Sequence, residues 1–366
     1  MKQFIFNILL ACILTQVYGQ TSSQHDIKAT LEAQIPILLK EHKTPGIAIA
    51  ILKNGKVYYK KGFGYGNTQK QEVISTHTGF NIGSISKTFT AWGVMKLVEQ
   101  GKLNLDTPVT TYLTRWQFPA SKYDTDKVTT RAILNHTAGL SVHGYPGFSS
   151  AKNLPTLEAS LNGENGPANE NEKVDIILEP QTKFKYSGGG YTILQLVIEE
   201  VTGMSFSAYM DKAIFKPLKM KHTSFNLSSH ILQDSATPYD EEGNEMYLVR
   251  FTAQAAAGLH TTLDDLILFS KASFSKNPIL SSESFTTLIT PTEVANNDYG
   301  LGYMVMDRFG FRIIGHAGSN DGWQSGMMFN FETNSGIIML TNGSNGKNVL
   351  FPCLQKWAQW HKKNME

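Results

Sequence analysis

The chain has 366 residues, 41% of them hydrophobic and 17% charged, with two cysteines. That composition is ordinary for a globular protein and excludes a disordered chain, a fibre or a disulfide-framed scaffold. A formal net charge of +2, with Lys and Arg dispersed, leaves no basic patch of the kind nucleic acid requires.

Met1 and Lys2 precede an apolar run from Phe4 to Leu14, and Val17, Tyr18 and Gly19 follow before the polar Gln20. Residues 1–19 are expected to be a secretory signal. Leu9, Leu10, Ala11 and Cys12 offer a lipoprotein cleavage box, but the apolar character continues past Cys12 to Val17, so anchoring there is the lesser expectation. Losing the signal removes Cys12 and leaves Cys353 alone, so the mature chain is expected to hold no intrachain disulfide. Cys353 lies in an apolar helical pattern and reads as a buried small hydrophobe. No later segment is apolar for long enough to span a bilayer.

A helix is predicted from Ile27 to Leu39, with Leu31, Ile35 and Leu38 near one stripe. Strands Gly46 to Leu52 and Lys56 to Phe63 flank Asn54 and Gly55, the favoured pair for a type I′ hairpin turn. Gly62, Gly64 and Gly66 read as strand-end and turn glycines, because no helix starts after them to complete a phosphate loop. From Ser84 to Gln100, residues Ile85, Phe89, Trp92, Val94, Met95, Leu97 and Val98 cover most of the helical circumference, which predicts a buried helix. Gly101 is its natural stop. Val128 to Leu134 leads into the turn NHTAGL.

The stretch from Ser141 to Thr182 is rich in Gly, Pro, Asn and Ser, and such stretches either shape a binding site or move. KFKYSGGGYTILQLVIEEVTG predicts a glycine turn and a helix, with Ile193, Leu194, Val197 and Val201 on one face. Phe206 to Leu218 is expected to be helical, YLVRF (Tyr247 to Phe251) a strand, and Thr262 to Lys271 a helix. Phe311 to His316, Gln324 to Phe331 and Gly336 to Thr341 read as strands, with a turn from Glu332 to Ser335. Leu350, Leu354, Trp357 and His361 mark a closing helix. Strands at both ends with helices between them predict an α/β layer, its sheet built from about 26–80 and 255–366, interrupted by a mainly helical insertion at about 84–254.

Ser84 and Lys87 lie three residues apart, a spacing that puts both side chains on one helical face. A serine hydroxyl is a poor nucleophile at neutral pH and needs a base within hydrogen-bond reach, so the pair suits nucleophilic catalysis. The spacing alone is weak, because it recurs at Ser149 and Lys152, Ser273 and Lys276, and Ser344 and Lys347. Ser149 lies in the Pro/Gly-rich stretch, Ser273 where a helix ends before Pro278, and Ser344 in the Gly/Asn turn TNGSNGKN. Ser84 combines the strand-like GFNIG before it with a long buried helix after it. That rigidity matters, since misplacement by about 1 Å costs on the order of 10²-fold in rate.

With SISK, YSG and HAG in that order, the chain resembles the serine hydrolase family of class C β-lactamases, DD-peptidases (penicillin-binding proteins) and related esterases. GIAIAILKNGKVYYKKGFGYGN, LNHTAGL, YSGGGYTILQLVIEEVTG and HAGSNDGWQSGMMFNF look like family segments, so the resemblance covers nearly the whole mature chain. It implies an α/β fold with a β-lactamase/transpeptidase-like antiparallel sheet flanked by helices, in one hydrolase domain over residues 20–366. It implies an enzyme, exported if the N-terminal segment is the expected signal, that forms an acyl-enzyme on Ser84 and hydrolyses an amide or ester of a peptide-like or small acyl substrate.

By the same resemblance Lys87 is the ammonium beside the nucleophile and Tyr186 exchanges a proton with it. His316, Gly318 and Ser319 line the substrate, and the backbone N–H groups of Ser84 and Ser319 form the oxyanion hole. The sequence leaves open whether Lys87 or Tyr186 is the base. The resemblance implies no cofactor, a small-molecule or peptide substrate with cell-wall peptides among the candidates, and no nucleic-acid partner.

Two positions depart from the family pattern. Gly188 stands where an asparagine is frequent, and His316 where β-lactamases carry lysine. A DD-peptidase, D-amino-acid peptidase or esterase is therefore expected before a class C-like β-lactamase, and a non-catalytic binder of cell-wall peptides is a further alternative. Taken alone, Tyr186 and His316 would read as core residues. His136 in NHTAGL reads as structural, and the other histidines show no HExxH pair or cysteine partners for a metal. Tyr145 and Phe148 are candidates for a substrate wall.

Overall fold

Residues 46–52, GIAIAIL, alternate large and small apolar side chains, and both sets are buried in the computed structural model, which describes residues 26–149, 154–164, 172–274 and 277–365. The expected signal segment with Cys12, and Lys152 and Lys276 of two competing Ser/Lys pairs, lie outside the described residues.

The strands are β1 (Gly46–Lys53), β2 (Lys56–Asn67), β3 (Glu72–Val73), β4 (Gly79–Asn81), β5 (His260–Thr262), β6 (Met304–Arg308), β7 (Phe311–Asn320), β8 (Trp323–Asn330) and β9 (Ser335–Thr341). The α-helices are α1 (Ile27–Glu41), α2 (Ser86–Glu99), α3 (Thr130–Leu134), α4 (Leu157–Leu161), α5 (Gly188–Thr202), α6 (Phe206–Met210), α7 (Ser229–Leu232), α8 (Gln254–Ala257), α9 (Leu263–Phe274), α10 (Ser282–Ile289) and α11 (Lys347–Lys363).

Seven strands form one sheet in the order β3-β2-β1-β9-β8-β7-β6. Every neighbouring pair is antiparallel, so the two ends of the chain meet at β1 and β9, with Ala50 opposite Ile338. Ile47, Ile49 and Ile51 point to one face, where they pack with Leu31 and Ile35 of α1 and Val349 and Trp357 of α11. Ala48, Ala50 and Leu52 point to the other, toward Phe89 and Trp92 of α2 and Leu266 and Phe269 of α9. The small alanines admit α9, which packs against β1 and β9. Each fully buried Ile, Leu or Phe contributes about 1.5–3 kcal/mol.

The β1–β2 turn places Asn54 at φ 52° and Gly55 at φ 73°, the two left-handed residues a type I′ turn requires. In α2 the polar residues within the buried surface are satisfied. Thr88 Oγ1 donates to Gly302 O at 2.8 Å and Thr90 Oγ1 to Ala255 O at 2.9 Å.

Several elements differ from expectation, among them three with a plain physical reading. YLVRF is irregular; its Arg250 exchanges two backbone bonds of 2.8 Å with Phe148, and among the described residues no strand lies alongside. The segment from Phe206 is α-helical to Met210 and then continues as a π-helical turn over Asp211–Phe215. β6 has no counterpart among the expected strands, being short and partly exposed at the sheet edge. Among the described residues no helix is long and apolar enough to cross a membrane.

Candidate active site

The site begins where two backbones touch. Gly83 opens a 3-10 turn, Gly83–Ile85, that leads into α2, and has φ 50°. A Cβ on Gly83 would lie 2.7 Å from Ser319 N, and one on Gly318 would lie 2.0 Å from Ile82 O. Only glycine permits this approach of the head of α2 to β7.

Asn320 and Trp323 flank a two-residue turn and form a hydrogen-bonded pair, so the alternation of an antiparallel ladder turns Ser319 N–H away from β8. On the opposite side β6 stops pairing at Gly315. The Ser319 amide therefore faces the turn that carries Ser84, and each serine directly follows a glycine of the contact.

Three side chains absent from the sequence reading stitch this junction. Asn81 Oδ1 accepts from Gly83 N at 3.0 Å and from Asn320 Nδ2 at 2.6 Å. Both asparagines donate to Ala257 O, at 3.3 and 3.1 Å. Ser325 Oγ donates to Ile82 O at 2.9 Å. Their sole sequence signal is a polar residue inside the strand-like runs GFNIG, HAGSN and WQSGMMFN.

Lys87 is 2% exposed, and its Nζ donates to Ser84 Oγ at 3.2 Å and to Ala256 O at 2.7 Å. The ammonium lies 4.9 Å from the centroid of the Tyr186 ring and 5.5 Å from that of Tyr191. Among the described residues no carboxylate pairs with Lys87. A buried cation held by neutral partners is expensive to keep, and such groups cluster at functional sites. Ser84 is half-buried, so its hydroxyl meets both Lys87 and solvent.

Tyr186 immediately precedes Ser187, the capping residue of α5, whose Oγ accepts from Gly190 N at 3.0 Å. Its ring is flanked by His136 at 4.2 Å and His143 at 5.0 Å. Its hydroxyl has no protein partner among the described residues. His136 Nδ1 accepts from Ser187 N at 3.1 Å, which puts the proton on Nε2. Burial above all, and then the Lys87 charge, hold the His136 pKa well below the ordinary histidine value.

A Cβ at Gly188 would lie 2.9 Å from His143 O, which accepts from Gly188 N at 3.0 Å. The chain at His143 thus blocks the volume that a side chain at 188 would need. Val142, next to it, holds φ 56°, a left-handed conformation that for a β-branched residue costs on the order of 1–3 kcal/mol. Ser187 Oγ donating to Ser141 O and Gly189 N donating to Val142 O hold it there. Tyr145 packs against the main core, and Phe148 is tied to Arg250.

His316 is 2% exposed, with Nδ1 2.5 Å from Ala317 O and Nε2 2.7 Å from the Tyr299 hydroxyl. A carbonyl can only accept, so Nδ1 carries the proton and Nε2 accepts from Tyr299. Burial, followed by the Lys87 charge, pushes its pKa down to about 3, so the ring is neutral. Tyr299 lies in DYGLG, where nothing local marks it off from a core tyrosine.

A serine and a buried lysine at the head of a core helix, set against an open amide on the strand of an antiparallel sheet, define the β-lactamase/transpeptidase class of fold. Residues 29–351 match the family model described as Beta-lactamase, and the chain belongs to that family. Protein flp of Staphylococcus aureus (strain COL) is 27% identical over 334 residues, covering 87% of this chain and 63% of the relative. This chain thus spans less than two thirds of that protein's length. Penicillin-binding protein 4* of Bacillus subtilis (strain 168) is 27% identical over 332 residues, covering 85% of this chain and 71% of the relative. The octameric penicillin-binding protein homologue from Pyrococcus abyssi superposes with a TM-score of 0.74 at 30% identity, over 87% of this chain and 74% of that one.

Proposed function

We propose that this protein is an exported serine hydrolase that forms an acyl-enzyme on Ser84 and passes the acyl group to water, acting on an amide or ester of a peptide-like or small acyl substrate. The observation that carries this is the Lys87 ammonium, buried with no carboxylate partner among the described residues, 3.2 Å from the Ser84 hydroxyl. Membership of the beta-lactamase family supports the reaction class. Export rests on the Lys2-led apolar run of the first 19 residues.

In the first step Ser84 Oγ bonds to the substrate carbonyl carbon while its proton passes to a base. Lys87 as a free amine and Tyr186 as a phenolate are the two candidates in reach. The developing oxyanion lies between the N–H groups of Ser84 and Ser319, each donor of this kind supplying about 3–4 kcal/mol. The bond to the leaving group then breaks, and the base returns the proton to the departing nitrogen or oxygen. In the second step water adds to the acyl carbon, the bond to Oγ breaks, and a proton restores the Ser84 hydroxyl.

The neutral His316 counts against a class C-like β-lactamase, in which lysine supplies a charge at that position. D-Alanyl peptides, nitrocefin and short-chain aryl esters assayed in parallel test the proposal. Turnover of at least one class, lost in Ser84→Ala, is expected. Saturable binding with no product from any of them would replace the hydrolase by a binding protein on the same scaffold.

A further inference from the structure

His316 is held in a way that limits what the cleft recognises. Ile314, two residues earlier, packs in the cluster of α2 and α5, and strand alternation sends His316 to the same face. There both ring nitrogens are occupied, one by Ala317 O and one by the Tyr299 hydroxyl. Tyr299 is buried, stands edge-on to His316 at 5.8 Å, and is braced by His136 at 4.9 Å and Phe184 at 5.7 Å.

A proton on Nε2 would reverse the Tyr299 bond, the hydroxyl oxygen then accepting, and set a second cation in the same buried space as Lys87. The titratable groups around the ring are Lys87 from α2, His136 after α3, Tyr299, and Tyr186 and Tyr191 behind Tyr299. None of these is a carboxylate, so a proton there would meet no fixed negative charge. Farther along β7, Ala317 and Ser319 are exposed, and Ser319 Oγ accepts from Gln324 Nε2 at 2.8 Å. From His316 to Ser319 the strand itself carries no charged side chain.

Resting on the hydrolase reading above, we infer that the Tyr299–His316 pair makes the β7 side of the cleft an uncharged hydrogen-bonding surface. The substrate that lies along it is an ester or amide without a carboxylate at that end. A peptide amide or a neutral acyl ester fits this description; a free D-alanyl-D-alanine terminus or a penicillin does not. Lys347 is the cation to test against it, because it is exposed at the head of α11, next to Gly346, where a Cβ would come within 2.9 Å of Gln324.

The test uses the full chain with Ser84→Ala, titrated by calorimetry with diacetyl-lysyl-D-alanyl-D-alanine and with its C-terminal amide. In parallel, the wild type is assayed with p-nitrophenyl butyrate and mono-p-nitrophenyl succinate. At pH 7 the uncharged member of each pair is expected to be favoured about tenfold or more, the scale of one charged group left without a partner.

Tyr299→Phe removes the hydroxyl that occupies His316 Nε2, but burial and the Lys87 charge still keep the ring neutral, so in the Ser84→Ala background the preference for the amide should persist unchanged from pH 7 to pH 5. Equal or tighter binding of the free acid, or faster turnover of the succinate, overturns the inference. Should Lys347→Ala then abolish that preference, the carboxylate is recognised from α11. If neither peptide binds and neither ester is turned over, the hydrolase reading fails and takes this inference with it. Turnover of the succinate in preference to the butyrate defeats the inference alone.

Discussion

The chain contains two Ser/Lys pairs of the same local architecture and opposite character. Ser84 sits in a 3-10 turn that runs into α2, whose second residue is Lys87; Ser344 sits in a 3-10 turn, Ser344–Gly346, that runs into α11, whose first residue is Lys347. Both helix heads press on the sheet through a glycine: a Cβ on Gly346 would meet Thr341 Oγ1 at 1.9 Å, as one on Gly318 would meet Ile82 O at 2.0 Å. Burial separates them. Lys87 is enclosed and bonds Ser84 Oγ, whereas Lys347 is exposed and Ser344 Oγ accepts from Gly322 N at 2.9 Å. One hydroxyl faces Lys87 and solvent, and the other holds a turn.

The comparison breaks most sharply at the lysines. Lys87→Ala should lower kcat/KM by about 10³-fold, within the range of a lost general acid or base, and Lys347→Ala by less than about twofold. Steady-state hydrolysis of a single aryl ester reads both, and equal losses would erase the distinction.

Burial sorts the histidines in the same way. His260 is enclosed with both ring nitrogens unbonded, and desolvation lowers its pKa to about 4. The unfolded chain therefore takes up the proton first, near pH 6.5. Stability that His260 leaves intact above pH 6.5 is lost as the pH falls toward 4, by about 3 kcal/mol at about 1.4 kcal/mol per unit. His316 and His136, also held below the ordinary value, act in the same direction. Urea unfolding from pH 7 to pH 4 should show the decline, and His260→Phe should flatten it; an unchanged slope would remove His260 from the account.

Gly318→Ala should drive the head of α2 away from β7 and separate the two amides. A fall of about 10²-fold in kcat is expected, with KM moving less. Gly346→Ala should lower the thermal midpoint while leaving kcat in place. The smallest effect belongs to Ser344→Ala, which should leave activity unaltered and reduce stability by about 1 kcal/mol, since it strands Gly322 N.

Much of this was legible in the sequence. Alternation in GIAIAIL, the Asn54-Gly55 turn and the all-round apolar α2 are local patterns, and each corresponds to an observed element. The three motifs drew attention to Ser84, Lys87, Tyr186 and His316, and the fold brings the first three into contact. What escaped depends on partners distant in the chain. Asn81 meets Asn320 across 239 positions, and Tyr299 caps His316 from a loop whose composition is unremarkable. YLVRF has the residues of a strand, but among the described residues its pairing stops at the isolated bridge between Arg250 and Phe148.

The central claim is that Ser84, and not its twin, is the acylated residue. Intact-mass and tandem mass spectrometry of the protein after reaction with a fluorophosphonate tests it most directly. The account predicts one adduct, located on Ser84, retained in Ser344→Ala and lost in Ser84→Ala. An adduct on Ser344, or none across pH 6 to 9, would contradict it.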